Sequence, residues 1–338
     1  MISIHENYSL KSLNTFGVEA RALWFTEICS EADLTELFSD AKWNSVERLI
    51  LGGGSNILFT KDFEGLVIRI SIPGIRKESV GNEILVTAGA GVVWNDLVNY
   101  CVDHHLAGME NLSLIPGSVG ASPIQNIGAY GVELKDVFHS CKAFEISSGK
   151  IRIFSREECE FNYRDSIFKG NLKGKYIITE VTYKLSAEFH PQVSYGAITQ
   201  ELQKRGIFNP GIKDISEVVS HIRVSKLPDP ATIGNAGSFF KNPLVTLNQF
   251  EQLQSIFPDI VFYKIGNDQV KLAAGWLIEQ CGWKGRVVKN TGTWKNQALV
   301  LVNHGQATGI EVLNVSEDII NDVRKRFNII LEREVNIF

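Results

Sequence analysis

The stretch RLILGGGSNILF, Arg48 to Phe59, sets short apolar runs on either side of three consecutive glycines. Glycine loses more backbone freedom on folding than any other residue and gives a core nothing to pack. Three together between strands point either to a hairpin turn or to backbone N–H groups presented to a bound phosphate. The local sequence leaves both readings open. A Rossmann unit would require a strand, then G-x-G-x-x-G, then a helix. Here RLILG and GLVIRI are both strand-like, so the glycines join strand to strand and the commonest dinucleotide fold is disfavoured.

Upstream, ALWFTEI (22–28) reads as a strand and SEADLTELFSDAKW (30–43) as a helix with Ser30 at its N-cap. Downstream, EILVTAGAG continues the β pattern. Trp94, Leu97, Val98, Cys101 and Val102 recur at helical spacing and predict an amphipathic helix ending near Gly108. From Asn111 to Val132, 22 residues then carry four glycines and no charge. Loops of this length in compact domains tend to be functional, and this one reads as buried backbone wrapped around something that is not protein. Residues 137–187 are β-rich. Prolines and helical patterning follow, and a distinct last domain begins between 215 and 230. It has helices at LNQFEQLQSIF, LAAGWLIEQCG and SEDIINDVRKRF, and strands at QALVLVN and LEREVNIF. The class is α+β.

Composition excludes several functions. The chain has 338 residues, 44% of them hydrophobic, enough for two or three domains with ample core. Net charge is −4, from 34 basic against 38 acidic residues, with no long basic run. Bulk attraction to nucleic acid or to an anionic membrane is therefore not expected. No stretch approaches 18 apolar residues, and the first residues lack the pattern of a signal peptide. The five cysteines are scattered and never in C-x-x-C spacing. That disfavours a disulfide frame or structural zinc and fits a reducing cytoplasm.

Three glycine-rich turns, GGGSN, TAGAG and IPGSVGASPIQNIGAYG, fall within 80 residues. Any one alone reads as structural. Together they offer the converging donors that a diphosphate needs. Arg164, in FNYRDSIFK, is either paired with Asp165 or a planar clamp for a carboxylate. Ser238, Lys241 and Asn242 follow two glycines in GNAGSFFKNP, where no nucleophile elbow or triad is in register. That leaves a capped turn or a hydroxyl presented to a ligand. Glu334 alone reads as a solvated strand residue. His104 and His105 have no metal-binding spacing and are expected on a helix surface.

Taken together, these motifs resemble one family, the UDP-N-acetylenolpyruvoylglucosamine reductases of peptidoglycan precursor synthesis. NTFGVEA (14–20), LGGGSNILF (51–59), AGAGVVWNDLV (88–98) and IPGSVGASPIQNIGAYGVEL (115–134) carry the likeness. FNYRDSIFK (161–169), SKLPDP (225–230), GNAGSFFKNP (234–243), KLAAGWLIEQCGWKG (271–285) and NQALVLVNHGQATG (296–309) follow in the same order. The resemblance runs nearly end to end. It implies a two-lobed FAD domain of the vanillyl-alcohol-oxidase (PCMH) type, 1–75 and 76–218, followed by an α+β substrate domain, 219–338.

FAD would be bound noncovalently, with Gly52, Gly53, Gly54, Ser55 and Asn56 cradling its pyrophosphate. Pro116, Gly117, Ser118, Gly120, Ala121, Ile127 and Gly128 would help. The implied reaction has two hydride transfers, from the cosubstrate NADPH to the flavin and then to the enolpyruvyl ether of UDP-N-acetylglucosamine. Arg164 would hold the carboxylate, Ser238 would donate the proton, and Glu334 would stand beside the enediolate intermediate. Tyr195, Lys226, Asn242 and Gln297 match positions that grip the nucleotide sugar, and Tyr195 belongs to the class with a mobile tyrosine loop. A monomer without nucleic-acid or membrane partners is expected. The same fold would also serve a sugar or alcohol oxidase, or a silent nucleotide-sugar binder that had lost Ser238 or Arg164. One departure stands out: Arg333 occupies a place where relatives often carry proline. Only four residues follow Glu334, and fraying there would leave it poorly held.

Overall fold

The computed structural model describes residues 2–80, 83–266 and 268–338. The chain divides into two compact units, both discontinuous in sequence. The first holds the segment ending at Tyr8, Ala22–Gly54 and Phe63–Val224; the second holds Ser9–Arg21, Ser55–Asp62 and Ser225–Phe338. The division thus passes between Gly54 and Ser55, inside the glycine-rich stretch.

In the first unit, β1 (His5–Ser9), β2 (Arg21–Ile28), β5 (Phe63–Ile70) and β3 (Arg48–Leu51) form a sheet in that order. β2 and β3 both pair parallel with β5, and parallel neighbours need a crossover. α1 (Glu31–Ser39) and α2 (Lys42–Ser45) supply the one between β2 and β3. Ser30 starts α1 as expected: its side chain accepts from Asp33 N while the Asp33 carboxylate caps the Ser30 N–H. Leu34 and Leu37 of α1 bury against Ile28, Leu66 and Ile68.

An antiparallel sheet follows, in the order β11 (Ile151–Ser155), β10 (Phe138–Glu145), β12 (Tyr176–Leu185), β7 (Glu83–Gly89), β6 (Ile75–Val80). The expected amphipathic helix is α3 (Trp94–Asp103), and all five of its predicted apolar residues are buried. It stops short of Gly108 because His105 turns left-handed at φ +56° and Leu106 N reaches back to Cys101 O. His104 is the exposed C-cap with its ring against Tyr100 of the helix, and the exposed His105 lies one residue past it. The uncharged loop closes with β8 (Gly128–Ala129) and β9 (Val132–Glu133), a hairpin whose turn residues Tyr130 and Gly131 have φ +51° and +85°. α4 (Gly196–Lys204) and α5 (Ile212–Lys226) complete the segment; the units divide in the last turn of α5, so residue 219 is a mid-helix position.

In the second unit, β13 (Gly234–Ser238), β19 (Gln297–Asn303), β18 (Thr291–Trp294) and β17 (Val287–Val288) form an antiparallel sheet. α7 (Ala274–Gln280) and α8 (Gly309–Phe327) pack on it. α8 begins seven residues before SEDIINDVRKRF because Thr308 and Glu311 form a capping box. A smaller sheet of β14 (Leu244–Thr246), β16 (Gln269–Leu272) and β15 (Phe262–Ile265) carries α6 (Leu247–Ile256). The NTFG loop joins this unit through Asn235 N to Thr15 O, 3.0 Å, and Asn303 Nδ2 to Phe16 O, 2.8 Å.

The glycines close no hairpin. β3 pairs with β5, whereas β4 (Ile57–Leu58) pairs parallel with β20 (Asn336–Ile337) in the second unit. LEREVNIF is accordingly a strand only at β20, with an isolated bridge between Arg333 and Phe240.

Candidate cofactor and substrate sites

Gly52 and Gly53 leave the end of β3 and lie back to back with the start of the uncharged loop. A Cβ built on Gly52 would stand 2.3 Å from Ser118 Oγ, and one on Gly53 would stand 3.0 Å from Gly117 Cα. A side chain at Gly52 would have to turn the Ser118 hydroxyl aside, and one at Gly53 would press on the Gly117 backbone. The bridge between Val93 and Ser118 is made by Trp94 N to Gly117 O, 3.0 Å, and Val119 N to Val92 O, 2.9 Å. Those bonds flank Ser118 and leave its own N–H outside the ladder. Among the described residues, no acceptor meets the N–H of Gly52, Gly53, Gly117 or Ser118. Ser118 Oγ is buried and likewise has no partner there.

Ser118 is buried, Gly52 and Gly117 are half-buried and Gly53 is exposed, so this turn presents one buried hydroxyl and four amides without protein acceptors to an anionic group. The other positions differ. Gly120 N donates to Ala90 O at 2.9 Å, Ala121 N to Ser118 O at 3.1 Å, and Ile127 N to Ser122 O at 3.2 Å. Pro116 has no N–H to offer. Gly54 is buried at φ +63°, which lets the chain turn away from β3. Ser55 and Asn56 begin the second unit's segment, and Asn56 Nδ2 donates to Glu334 O at 3.2 Å.

Arg164 occupies the tip of a two-residue turn at φ +54°, closed by the reciprocal bonds Asn162 N to Asp165 O and Asp165 N to Asn162 O, 3.1 and 3.2 Å. Its Nη2 donates to Gly128 O at 2.7 Å, fixing the guanidinium against the β8–β9 hairpin. A left-handed arginine is strained, and such strain concentrates at functional sites. Burial lowers the pKa of Arg223, and the like charge of Arg164 works in the same direction against the opposing influence of Tyr130. Two guanidinium groups near one another make an electropositive locus in the first unit.

Tyr195, at the N-cap of α4, sets its ring edge-on to Tyr130 with centroids 5.3 Å apart. The segment before it is tied down by a residue that sequence reasoning missed. Asn111 is 1% exposed, and its Nδ2 donates to Tyr130 O at 3.1 Å and to Gln192 O at 2.9 Å. Its position opening the uncharged loop was the available signal.

In the second unit, Ser238 ends β13 just after an irregularity in its pairing with β19, and Gly237 there has φ +68°. Such a bulge re-aims the next side chain. Glu334 N donates to Phe239 O at 2.8 Å, so Ser238 and Glu334 lie on neighbouring paired segments. Asn242 Oδ1 accepts from Ala274 N at 2.9 Å, and a Cβ on Gly275 would stand 2.7 Å from Gln297 Oε1. Asn242 and Gln297 each lie against the start of α7. Lys226 is exposed at the end of α5. The terminal segment does not fray: Phe338 N donates to Leu58 O at 2.9 Å, and Thr60 N and Oγ1 donate to Phe338 O at 2.6 and 2.8 Å.

A glycine cradle with unpaired amides in one unit, and Ser238 and Glu334 on hydrogen-bonded segments of the other, fit a protein that binds a phosphate-bearing cofactor and carries a separate C-terminal domain. Residues 25–155 match the family model described as an FAD binding domain, and residues 229–338 match the C-terminal domain of UDP-N-acetylenolpyruvoylglucosamine reductase. The chain is 47% identical over 340 residues to the UDP-N-acetylenolpyruvoylglucosamine reductase of Flavobacterium johnsoniae, covering 99% of this chain and all of the relative. The reductase of Pseudomonas aeruginosa is also 47% identical, over 100% of this chain and 99% of its own. The crystal structure of the Thermus caldophilus enzyme superposes with a TM-score of 0.67 at 22% identity, over 100% of this chain and 99% of that one. The chain belongs to the UDP-N-acetylenolpyruvoylglucosamine reductase family. Its FAD-binding part is of the vanillyl-alcohol-oxidase (PCMH) type, followed by the family's C-terminal domain.

Proposed function

We propose that this chain reduces the enolpyruvyl ether of UDP-N-acetylglucosamine to UDP-N-acetylmuramate with NADPH, in peptidoglycan precursor synthesis, as a cytoplasmic monomer. Near-complete coverage by reductase relatives carries the reading. When bound, FAD would supply the hydride chemistry that links NADPH to the enolpyruvyl CH2 carbon.

The chain's own residues do the rest. Gly52, Gly53, Gly117 and Ser118 hold the cofactor pyrophosphate through their N–H groups, with Ser118 Oγ as a further donor. Arg164 grips the substrate carboxylate with its planar fork and stabilises the charge that grows there, a preorganised electrostatic role. Its bond to Gly128 O supports that role by removing rotational freedom. Ser238 gives the proton to the neighbouring carbon; a hydroxyl is a weak acid, but an enediolate is a strong base. Glu334 acts on the same intermediate that Ser238 protonates. Tyr195, Lys226, Asn242 and Gln297 hold the nucleotide sugar.

The test is an anaerobic experiment in two additions. NADPH should bleach the bound flavin, and enolpyruvyl-UDP-N-acetylglucosamine should restore its colour. Recolouring by air and not by that compound would make the protein an oxidase, and absence of bound flavin would make it a binder.

A further inference from the structure

We propose that Arg333 is a positioning residue for Glu334. The inference rests on the catalytic reading of Glu334 given above. Lys241 N donates to Glu332 O and Glu334 N to Phe239 O, both at 2.8 Å, so the ladder bonds flank the bridge between Arg333 and Phe240. Successive side chains of an extended segment point to opposite faces. Arg333 sends its side chain to α8, where Nε donates to Ser316 Oγ at 2.8 Å and Nη2 lies 2.5 Å from Glu317 Oε1. Ser316 is fully buried, and its own hydroxyl proton goes to Leu313 O at 2.6 Å. The anchor therefore stands on a capped helix whose inner face, Val312, Val315, Ile319 and Val323, is buried.

With Arg333 committed to α8, Glu334 must face the other way. A slip by one residue would exchange the two faces, and the arginine anchor opposes it. Asn56 holds the following main chain: its Nδ2 donates to Glu334 O, and its carbonyl accepts from Asn336 N at 3.1 Å and Asn336 Nδ2 at 3.0 Å. Glu334 is thus fixed on one side by a side-chain anchor and on the other by a main-chain clamp.

The experiment compares Arg333→Ala, Arg333→Pro, Glu334→Gln and Arg333→Ala/Glu334→Gln as holoenzymes. Bleaching by NADPH and recolouring by the enolpyruvyl nucleotide sugar are followed separately, with amide exchange of residues 332–338. Arg333→Ala should slow recolouring by roughly 10- to 100-fold, the scale of a misplaced catalytic group, with bleaching and KM unchanged. Exchange at Glu334 and Asn336 should quicken. Arg333→Pro should recover most of the loss, since proline stiffens the backbone and the ladder makes no use of the residue 333 N–H. The double variant should be no slower than Glu334→Gln alone. Additive losses, equal damage to both half-reactions, or unchanged recolouring in Arg333→Ala while Glu334→Gln is slow would overturn the proposal. If Glu334→Gln itself recolours normally, the catalytic reading of Glu334 fails and this inference with it.

Discussion

Replacing Gly52 by alanine tests whether the cradle is built around a hydroxyl that serves the cofactor. The new methyl would lie 2.3 Å from Ser118 Oγ but 3.5 Å from Ser118 Cβ and 3.6 Å from Ala121 Cβ, both ordinary contacts. One rotation of the Ser118 side chain relieves the clash, at about 0.5–1.5 kcal/mol if the new rotamer is imperfect. The fold should survive. The cost falls on the cofactor, because the turned hydroxyl loses a charge-assisted bond of about 1.5–3 kcal/mol. At 1.4 kcal/mol per decade that is roughly a 10- to 150-fold loss of FAD affinity. Ser118→Ala should show the same loss without any clash. The pair Gly52→Ala/Ser118→Ala should lose no more than either single variant, since both remove one donor. Fluorescence titration of the deflavinated proteins with FAD, beside thermal melts, reads both quantities. Parent-like affinity in Ser118→Ala, or multiplicative losses in the double variant, would refute the reasoning.

Ser238→Ala should leave NADPH bleaching nearly intact and slow substrate-driven recolouring by roughly 10²-fold, measured by stopped-flow absorbance. Asn111→Leu strands two carbonyls, Tyr130 O and Gln192 O, at roughly 1–3 kcal/mol each. It should lower the melting temperature and raise KM for the nucleotide sugar more than for NADPH. Glu110 is 3% exposed, and burial raises its carboxyl above the ordinary value despite backbone donors including Gly108 N at 2.7 Å. The folded state therefore favours its protonated form, a contribution present at low pH and lost as pH rises through the folded pKa. Glu110→Gln should accordingly gain stability relative to the parent as pH rises from 4 to 7, read from paired melts.

Much of this fold is legible in local patterning. The strands around the glycines, the helix from Ser30 and the buried stripe from Trp94 to Val102 follow from periodicity and capping alone. The apolar spacing of SEDIINDVRKRF marks only the later part of α8, whereas T-x-x-E at Thr308–Glu311 announces its true start. The remainder depends on pairing between distant segments, which no local window records. Asn56 meets Glu334 278 residues away, and β4 finds its partner in β20. The candidate site divides in the same way. Glycine density marks the cradle, but only the three-dimensional register distinguishes Gly117 and Ser118 from Gly120 and Ala121, whose N–H groups serve the protein. The resemblance marks Arg333 only as standing where relatives often carry proline, whereas the folded chain supplies its anchor on α8.

The most direct measurement of the central claim is a crystal structure with FAD bound. Pyrophosphate oxygens should lie within about 3.2 Å of the N–H groups of Gly52, Gly53, Gly117 and Ser118, with Ser118 Oγ turned toward them. A cofactor seated elsewhere, with those four amides facing solvent or protein carbonyls, would contradict it.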